Sequence, residues 1–239
     1  MSARVIMVAS GKGGTGKSTV SVLTGAALAA RGRRVLLVEL DSALRSVDYI
    51  AGVYGKTVYD VEDVLCGRCD AGKALVESPL YPGLFVISAP YSGGQVAAGA
   101  LQSFLQQAGG VFDDIVLDTA AGMGAPFEAA RAAASLALIC ITPDPVAQRD
   151  GRIVCDALLE GGCEQVRLVI NKVPRTLAGQ GIRDLDECID TVGAQLLGVV
   201  PYSEAVLRAG ATASALPKEE RPRVCLPPWR HACAACMRR

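Results

Sequence analysis

Two lysines set among glycines, Gly11-Lys12-Gly13-Gly14-Thr15-Gly16-Lys17-Ser18, have the spacing of a phosphate-binding loop: Gly, four residues, then Gly-Lys-Ser/Thr. Glycines let the backbone curl until successive N–H groups face phosphate oxygens, and a helix beginning at Lys17 directs its positive end to the same point. Lys17 is placed to reach the β- and γ-phosphates, and the Ser18 hydroxyl to take a Mg²⁺ coordination position. An apolar run, Val5–Ala9, precedes the loop, and a helical stretch from Lys17 to about Arg31 follows it. With that context the chain is expected to bind a nucleotide, and Gly11, Gly13, Gly14, Thr15, Gly16, Lys17 and Ser18 to surround its phosphates.

Three further features bear on the chemistry. Lys12 occupies a position the generic pattern leaves free. Backbone amides and Lys17 already fill the near side of the phosphates, so Lys12 can reach outward to phosphates held by a facing subunit; a solvated lysine on a loop tip is the plain alternative. The apolar run Val35–Leu40 ends in Asp41, which in an open parallel sheet emerges beside the ligand. There it can orient or activate an attacking water, or it caps a helix beginning near Ser42. Asp114–Asp118 is another apolar run ending in a carboxylate, and Asp118 is suited to holding Mg²⁺ opposite Ser18. Gly122, just beyond, allows backbone to approach the γ-phosphate. The chain has a single histidine, His231, far from these segments. Metal and positioned carboxylates, rather than imidazole, are expected to carry the reaction.

The elements that must hold these residues are legible as alternating buried-strand and helical runs, the pattern of a parallel sheet covered on both faces. Strands are predicted at 4–10, 34–40, 84–89, 114–118, 136–142, 166–171 and 195–200, with helices near 17–31, 43–53, 59–65, 96–108, 125–134, 145–160 and 203–210. The fold class is therefore α/β, a single nucleotide-binding domain built on a mostly parallel sheet of about seven strands. At 239 residues there is chain enough for one sizeable core. Lysine plus arginine and aspartate plus glutamate number 24 each, which argues against wholesale attraction to nucleic acid. No apolar run is long enough to span a bilayer and no leader is evident, so the chain reads as cytoplasmic. Past Ala211 the pattern dissolves among Pro217, Pro222, Pro227 and Pro228. The expected division is a domain over 1–212 and a Pro/Cys/Arg-rich tail over 213–239.

Lys12 within this loop, the strand-end segment Val38–Asp48, Val58–Val61, Gly67–Cys69, and Gly198–Pro201 with Ser203–Ala209 resemble the MinD/ParA family of deviant Walker A ATPases. Within it they are most similar to the MinD group of division-site ATPases. The likeness is collinear from residue 4 to about 210. It implies a Mg²⁺-dependent ATPase that dimerises face to face around two ATP molecules and hydrolyses them to ADP and phosphate. On this resemblance Lys12 is the intersubunit lysine, Lys17 and Ser18 bind phosphate and Mg²⁺, Asp41 positions the water and Asp118 is the Walker B acid. Asn171 would contact adenine, with Thr19 and Pro201 also at the nucleotide. A homodimer on ATP binding is implied, and a protein partner such as a MinC/MinE-like regulator. Three departures are expected to matter: Glu39 replaces the first aspartate of the family's strand-end pair, Ala120 replaces a proline, and the chain is shorter than is typical, with an atypical end.

The tail leaves alternatives open. Residues 218–239 carry six basic and two acidic side chains, and Trp229, Ala232, Cys233, Cys236 and Met237 fall on one helical face. Such a segment suits peripheral contact with an anionic membrane, at the inner face of the cell membrane, or is a tail without fixed structure. Cys233 and Cys236, like Cys66 and Cys69, have CxxC spacing, which keeps a metal-cluster carrier or metallochaperone as a second reading. A DNA-segregation ATPase of the ParA type is the third, with nucleic-acid binding disfavoured by the charge balance. Cys140 and Cys155 are expected to be small buried hydrophobes.

Overall fold

In the computed structural model, which describes residues 3–42, 45–90, 97–175 and 184–216, the apolar runs become strands. They lie at Arg4–Ala9 (β1), Val35–Glu39 (β2), Val76–Glu77 (β3), Leu84–Ile87 (β4), Asp114–Asp118 (β5), Leu136–Ile141 (β6), Val166–Val173 (β7) and Gln195–Pro201 (β8). Helices occupy Lys17–Ala29 (α1), Val47–Ile50 (α2), Val61–Leu65 (α3), Ala71–Ala74 (α4), Ala98–Ala108 (α5), Ala125–Ala133 (α6), Pro145–Glu160 (α7), Leu185–Val192 (α8) and Glu204–Thr212 (α9).

One eight-stranded sheet results, in the order β3-β4-β2-β5-β1-β6-β7-β8. Every pairing is parallel except β3 with β4. The expected mostly parallel α/β sheet is present, with one strand more than the sequence announced. β3 has two residues and no periodicity to read; its pairing with β4 creates it.

Both faces are covered, and that is why the central strands are apolar at nearly every position. Ile6, Val8, Val35, Leu37 and Val116 point to one core, closed by α1 and α2. Met7, Leu36, Leu117, Ile139 and Ile170 point to the other, closed by α5, α6, α7 and α8. The register sets Glu39 beside Asp118 and Asp118 beside Val8, so the ends of β2, β5 and β1 are level.

Three local differences from the sequence reading have physical causes. The helix expected over 43–53 is confined to Val47–Ile50, with Ser46 as its N-cap and Gly52 in a left-handed turn just beyond its C-cap; residues 43 and 44 lie outside those described. α8 was not expected, although its ends carry recognisable signals: Asp184 accepts the Glu187 N–H, and Gly193 takes φ 72° to close the helix. α4, a single turn, leaves too short a signal to read. Beyond α9, Leu216 is buried against Leu23 of α1 and Ala209, so the chain stays on the core through that residue. Residues 217–239, which include Trp229, His231, Cys233 and Cys236, lie outside the described part.

Candidate nucleotide-binding site

Along the C-terminal edge of the sheet, β2, β5, β1, β6 and β7 follow one another, about 19 Å of edge at about 4.8 Å per strand. Asp41 follows β2 by two residues, Asp118 ends β5, and the glycine loop joins β1 to α1. Asn171 lies in the last part of β7, Pro201 ends β8, and Ser18 and Thr19 are in the first turn of α1.

The loop owes its shape to Gly14 and Gly16, at φ 83° and 88°. Its outward carbonyls are tied to β7: Asn171 Nδ2 donates to the Thr15 oxygen at 2.8 Å and Lys172 Nζ to the Gly14 oxygen at 2.7 Å. Because C=O and N–H oppose each other across a trans peptide, drawing these carbonyls toward β7 turns the N–H groups of Thr15 and Gly16 away from it. Lys172 itself adopts φ 56°, a rare conformation for a side-chain-bearing residue. A Cβ on Gly16 would stand 2.3 Å from Asn171 Nδ2. Gly16→Ala therefore carries about 1–2 kcal/mol of left-handed strain and also displaces the Asn171 tie. ADP titration calorimetry is expected to show at least about a tenfold weaker Kd, the equivalent of about 1.4 kcal/mol.

Behind the loop lies a buried charge cluster. Lys17 is nearly inaccessible, and its Nζ sits 3.4 Å from Asp118 Oδ1 and 3.9 Å from Asp41 Oδ2. Ser21, one turn further along α1, donates to the same Asp118 oxygen at 2.7 Å. Burial pushes the Asp118 carboxyl upward, while the Lys17 charge and hydrogen bonds from Ser21 and Ser18 oppose the rise. Asp118 Oδ2 is buried without a hydrogen-bond partner. A buried carboxylate oxygen left unpaired, beside a hydroxyl and next to a phosphate-type loop, fits a hard oxygen-seeking cation. Ser18 and Asp118 are thus the residues that would hold Mg²⁺.

Glu39, at the end of β2, is fully buried; its Oε1 accepts the N–H groups of Ser46 at 2.7 Å and Val47 at 2.9 Å, and its Oε2 that of Ala89 at 3.3 Å. Burial pushes its carboxyl up to about 7, with the three backbone donors opposing and the Asp118 charge adding to the rise. Gly122 N–H donates to the Ser10 oxygen at 3.0 Å, fixing the segment after β5 to the glycine loop.

Lys12 is half-buried and does not stand free on the loop tip. Its Nζ contacts Asp144 Oδ1 of the same chain at 3.0 Å. Asp144 also caps α7 through the Ala147 N–H and accepts from Thr142 Oγ1 at 2.6 Å. Burial alone would raise its carboxyl, but these hydrogen bonds, with Lys12, hold it below the usual aspartate value. A cavity of about 370 Å³ opens beside it, lined by Thr142, Pro143, Asp144, Lys172, Pro174 and Tyr202. The sequence reading missed Ser21, Asp144 and Lys172. Asp144 had a signal, since it is a third carboxylate just past an apolar strand and is followed by a proline at the first helical position. Ser21 had none, because one small polar residue in an apolar helix is unremarkable until the fold sets it against Asp118.

Cys140 and Cys155 are buried, and burial pushes the Cys140 thiol up to about 12. Cys66 is exposed and Cys69 half-buried, both free thiols. Among the described residues no three His, Cys, Asp or Glu side chains gather as metal ligands.

Comparison with known proteins agrees with this geometry. The family model described as "CobQ/CobB/MinD/ParA nucleotide binding domain" matches residues 6–216. The septum site-determining protein MinD of Synechocystis sp. is 33% identical over 221 residues, covering 91% of this chain and 83% of that protein. MinD of Bacillus subtilis is 34% identical over 209 residues, covering 85% and 78%. Among solved structures, MinD in the MinC:MinD cell division complex of Aquifex aeolicus superposes with a TM-score of 0.81 at 28% identity, covering 89% of this chain and 87% of that one. Cyanothece McdA in its ATP complex, at 15% identity and TM-score 0.75, shares the fold. The glycine loop with its extra lysine, the level strand-end carboxylates and these matches agree: the chain belongs to the MinD/ParA family of P-loop ATPases.

Proposed function

We propose that this protein is an ATP-driven dimerising switch of the MinD type, which binds ATP, pairs with a second copy and hydrolyses ATP to ADP and phosphate. The observation that carries the reading is the placement of Lys17 Nζ within 4 Å of both Asp118 and Asp41. Lys17 neutralises phosphate charge and Asp41 holds the attacking water in line by accepting a hydrogen bond from it. Bound Mg²⁺, held by Ser18 and Asp118, supplies charge neutralisation on the phosphates. Thr15, Gly16 and Thr19 add donors around the phosphates, and the base is expected at the cavity lined by Thr142, Pro143, Asp144, Lys172, Pro174 and Tyr202, with Asn171 and Pro201 near the ends of the neighbouring strands β7 and β8.

Lys12 gives the switch its second subunit. In the single chain its ammonium is held by Asp144; in the dimer it exchanges that carboxylate for the phosphates bound by the partner. Phosphate release per chain is then expected to rise with protein concentration as dimers form. A rate per chain independent of concentration over a hundredfold range contradicts the dimeric reading.

The output that this family membership supports is placement of the cell-division site or a related spatial task, exerted through a protein partner that recognises the ATP dimer. Among the described residues no helix is long and apolar enough to cross a membrane, and the basic tail is the candidate for peripheral attachment. Two tails in one dimer bind by avidity where one is weak. Sedimentation with anionic liposomes is expected to be greater with ATP than with ADP, and lost on truncation after residue 216. The cut belongs there because Leu216 is packed on α1. Equal sedimentation with either nucleotide removes the membrane role and leaves the ATPase assignment standing.

A further inference from the structure

Asp41 lies two residues past Glu39, the last residue of β2. The buried Glu39 side chain reaches three backbone groups distant from it in the chain. Oε1 accepts the N–H groups of Ser46 and Val47 at 2.7 and 2.9 Å, while Oε2 accepts that of Ala89, just past β4, at 3.3 Å. One buried carboxylate therefore ties the end of β2 to the start of α2 and to the chain just past the neighbouring strand. Arg45 and Asp48 form a second buried pair at 3.1 Å, with Arg45 also reaching Thr57.

A buried carboxylate is a costly way to stabilise a core, since apolar side chains of similar volume often do as well or better. What three directed hydrogen bonds supply, and an apolar side chain does not, is a fixed position for the backbone they hold. The backbone held here flanks the end of β2, two residues before Asp41, whose Oδ2 lies 3.9 Å from Lys17 Nζ. We infer that Glu39 is a positioning residue for hydrolysis: by tying the end of β2 to the start of α2 and to the chain just past β4, it sets Asp41 against the nucleotide. The inference rests on the reading of Asp41 as the water-positioning acid. It also gives the departure of Glu39 from the family's aspartate a physical meaning, because the additional methylene extends the side chain toward donors on both α2 and the β4 side.

The test is a double-mutant cycle in the full-length protein. Glu39→Leu removes both anchors; Glu39→Gln keeps an oxygen for Ser46 and Val47 but turns an amide N–H₂ toward the Ala89 N–H. Displacement of a catalytic group by about 1 Å costs about 100-fold. Glu39→Leu is expected to lower kcat about 10- to 100-fold and Glu39→Gln about 3- to 10-fold, an ordering that follows the anchors lost. KM for ATP and Kd for ADP should stay within about twofold, because the glycine loop and Lys17 are untouched. In an Asp41→Ala background neither substitution should lower the residual rate further, since residues acting through one group are not additive. If Glu39→Leu fails to fold, Glu39→Gln carries the same cycle. Wild-type kcat in Glu39→Gln and Glu39→Leu, an equal proportional loss with and without Asp41, or KM rising in step with the loss overturns the positioning role. Normal turnover in Asp41→Ala itself overturns the underlying reading and this inference with it.

Discussion

Asp41→Ala is expected to lower ATP turnover by about 10²- to 10⁴-fold, the usual contribution of a positioned acid–base group, while ATP binding and ATP-dependent dimerisation persist. The separation of effects follows from geometry. Asp41 lies at the β2 end of the site and is 3.9 Å from Lys17 Nζ, outside direct hydrogen-bond distance. The glycine loop is held independently, by Asn171 and Lys172 from the opposite side. On the proposed role of Asp41, its removal takes away an acceptor for the attacking water and leaves the glycine loop in place. Single-turnover phosphate release and ADP calorimetry on the same preparation make the comparison. A tenfold loss of nucleotide affinity would instead assign Asp41 to binding.

Lys17→Ala is expected to abolish productive nucleotide binding, with turnover falling below detection. Lys17 is the buried cation between Asp118 and Asp41. On the proposed reading it also meets the β- and γ-phosphates, and without it their charge would face two carboxylates. Truncating one partner of a buried charge pair costs about 2–5 kcal/mol, or about 30- to 5,000-fold in Kd. The protein without nucleotide should still fold. Burial already raises the Asp118 carboxyl, and removing the Lys17 charge takes away one of the groups that oppose the rise. Thermal melts of the variant without nucleotide, and their lack of response to Mg-ADP, test both halves.

Much of this architecture is written locally in the chain. Val5–Ala9, Val35–Leu40 and Asp114–Asp118 are apolar runs, and each ends within one residue of a strand end. Gly14 and Gly16 are needed because the loop passes through left-handed backbone, so the loop's shape was legible from residue type alone. The gathering of Asp41, Asp118 and the loop at one edge of the sheet was also accessible, because ligands gather where parallel strands end. What the sequence left undetermined depends on contacts between distant segments. Ser21 becomes a partner of Asp118 across 97 residues of sequence, and Asp144 becomes the holder of Lys12 across 132. Glu39 was visible as a departure from the family, but what it holds depends on Ser46, Val47 and Ala89 converging on one carboxylate. Nor do two-residue strands such as β3 leave any periodicity; their existence is decided by the neighbour they pair with.

Whether ATP joins two copies of this chain is read by sedimentation velocity. Asp41→Ala protein, expected to hold ATP without consuming it, should sediment as a dimer with Mg-ATP and as a monomer with Mg-ADP. Adding Lys12→Ala should return it to monomer with either nucleotide. A monomer at saturating Mg-ATP, with Lys12 intact and nucleotide demonstrably bound, would contradict the account.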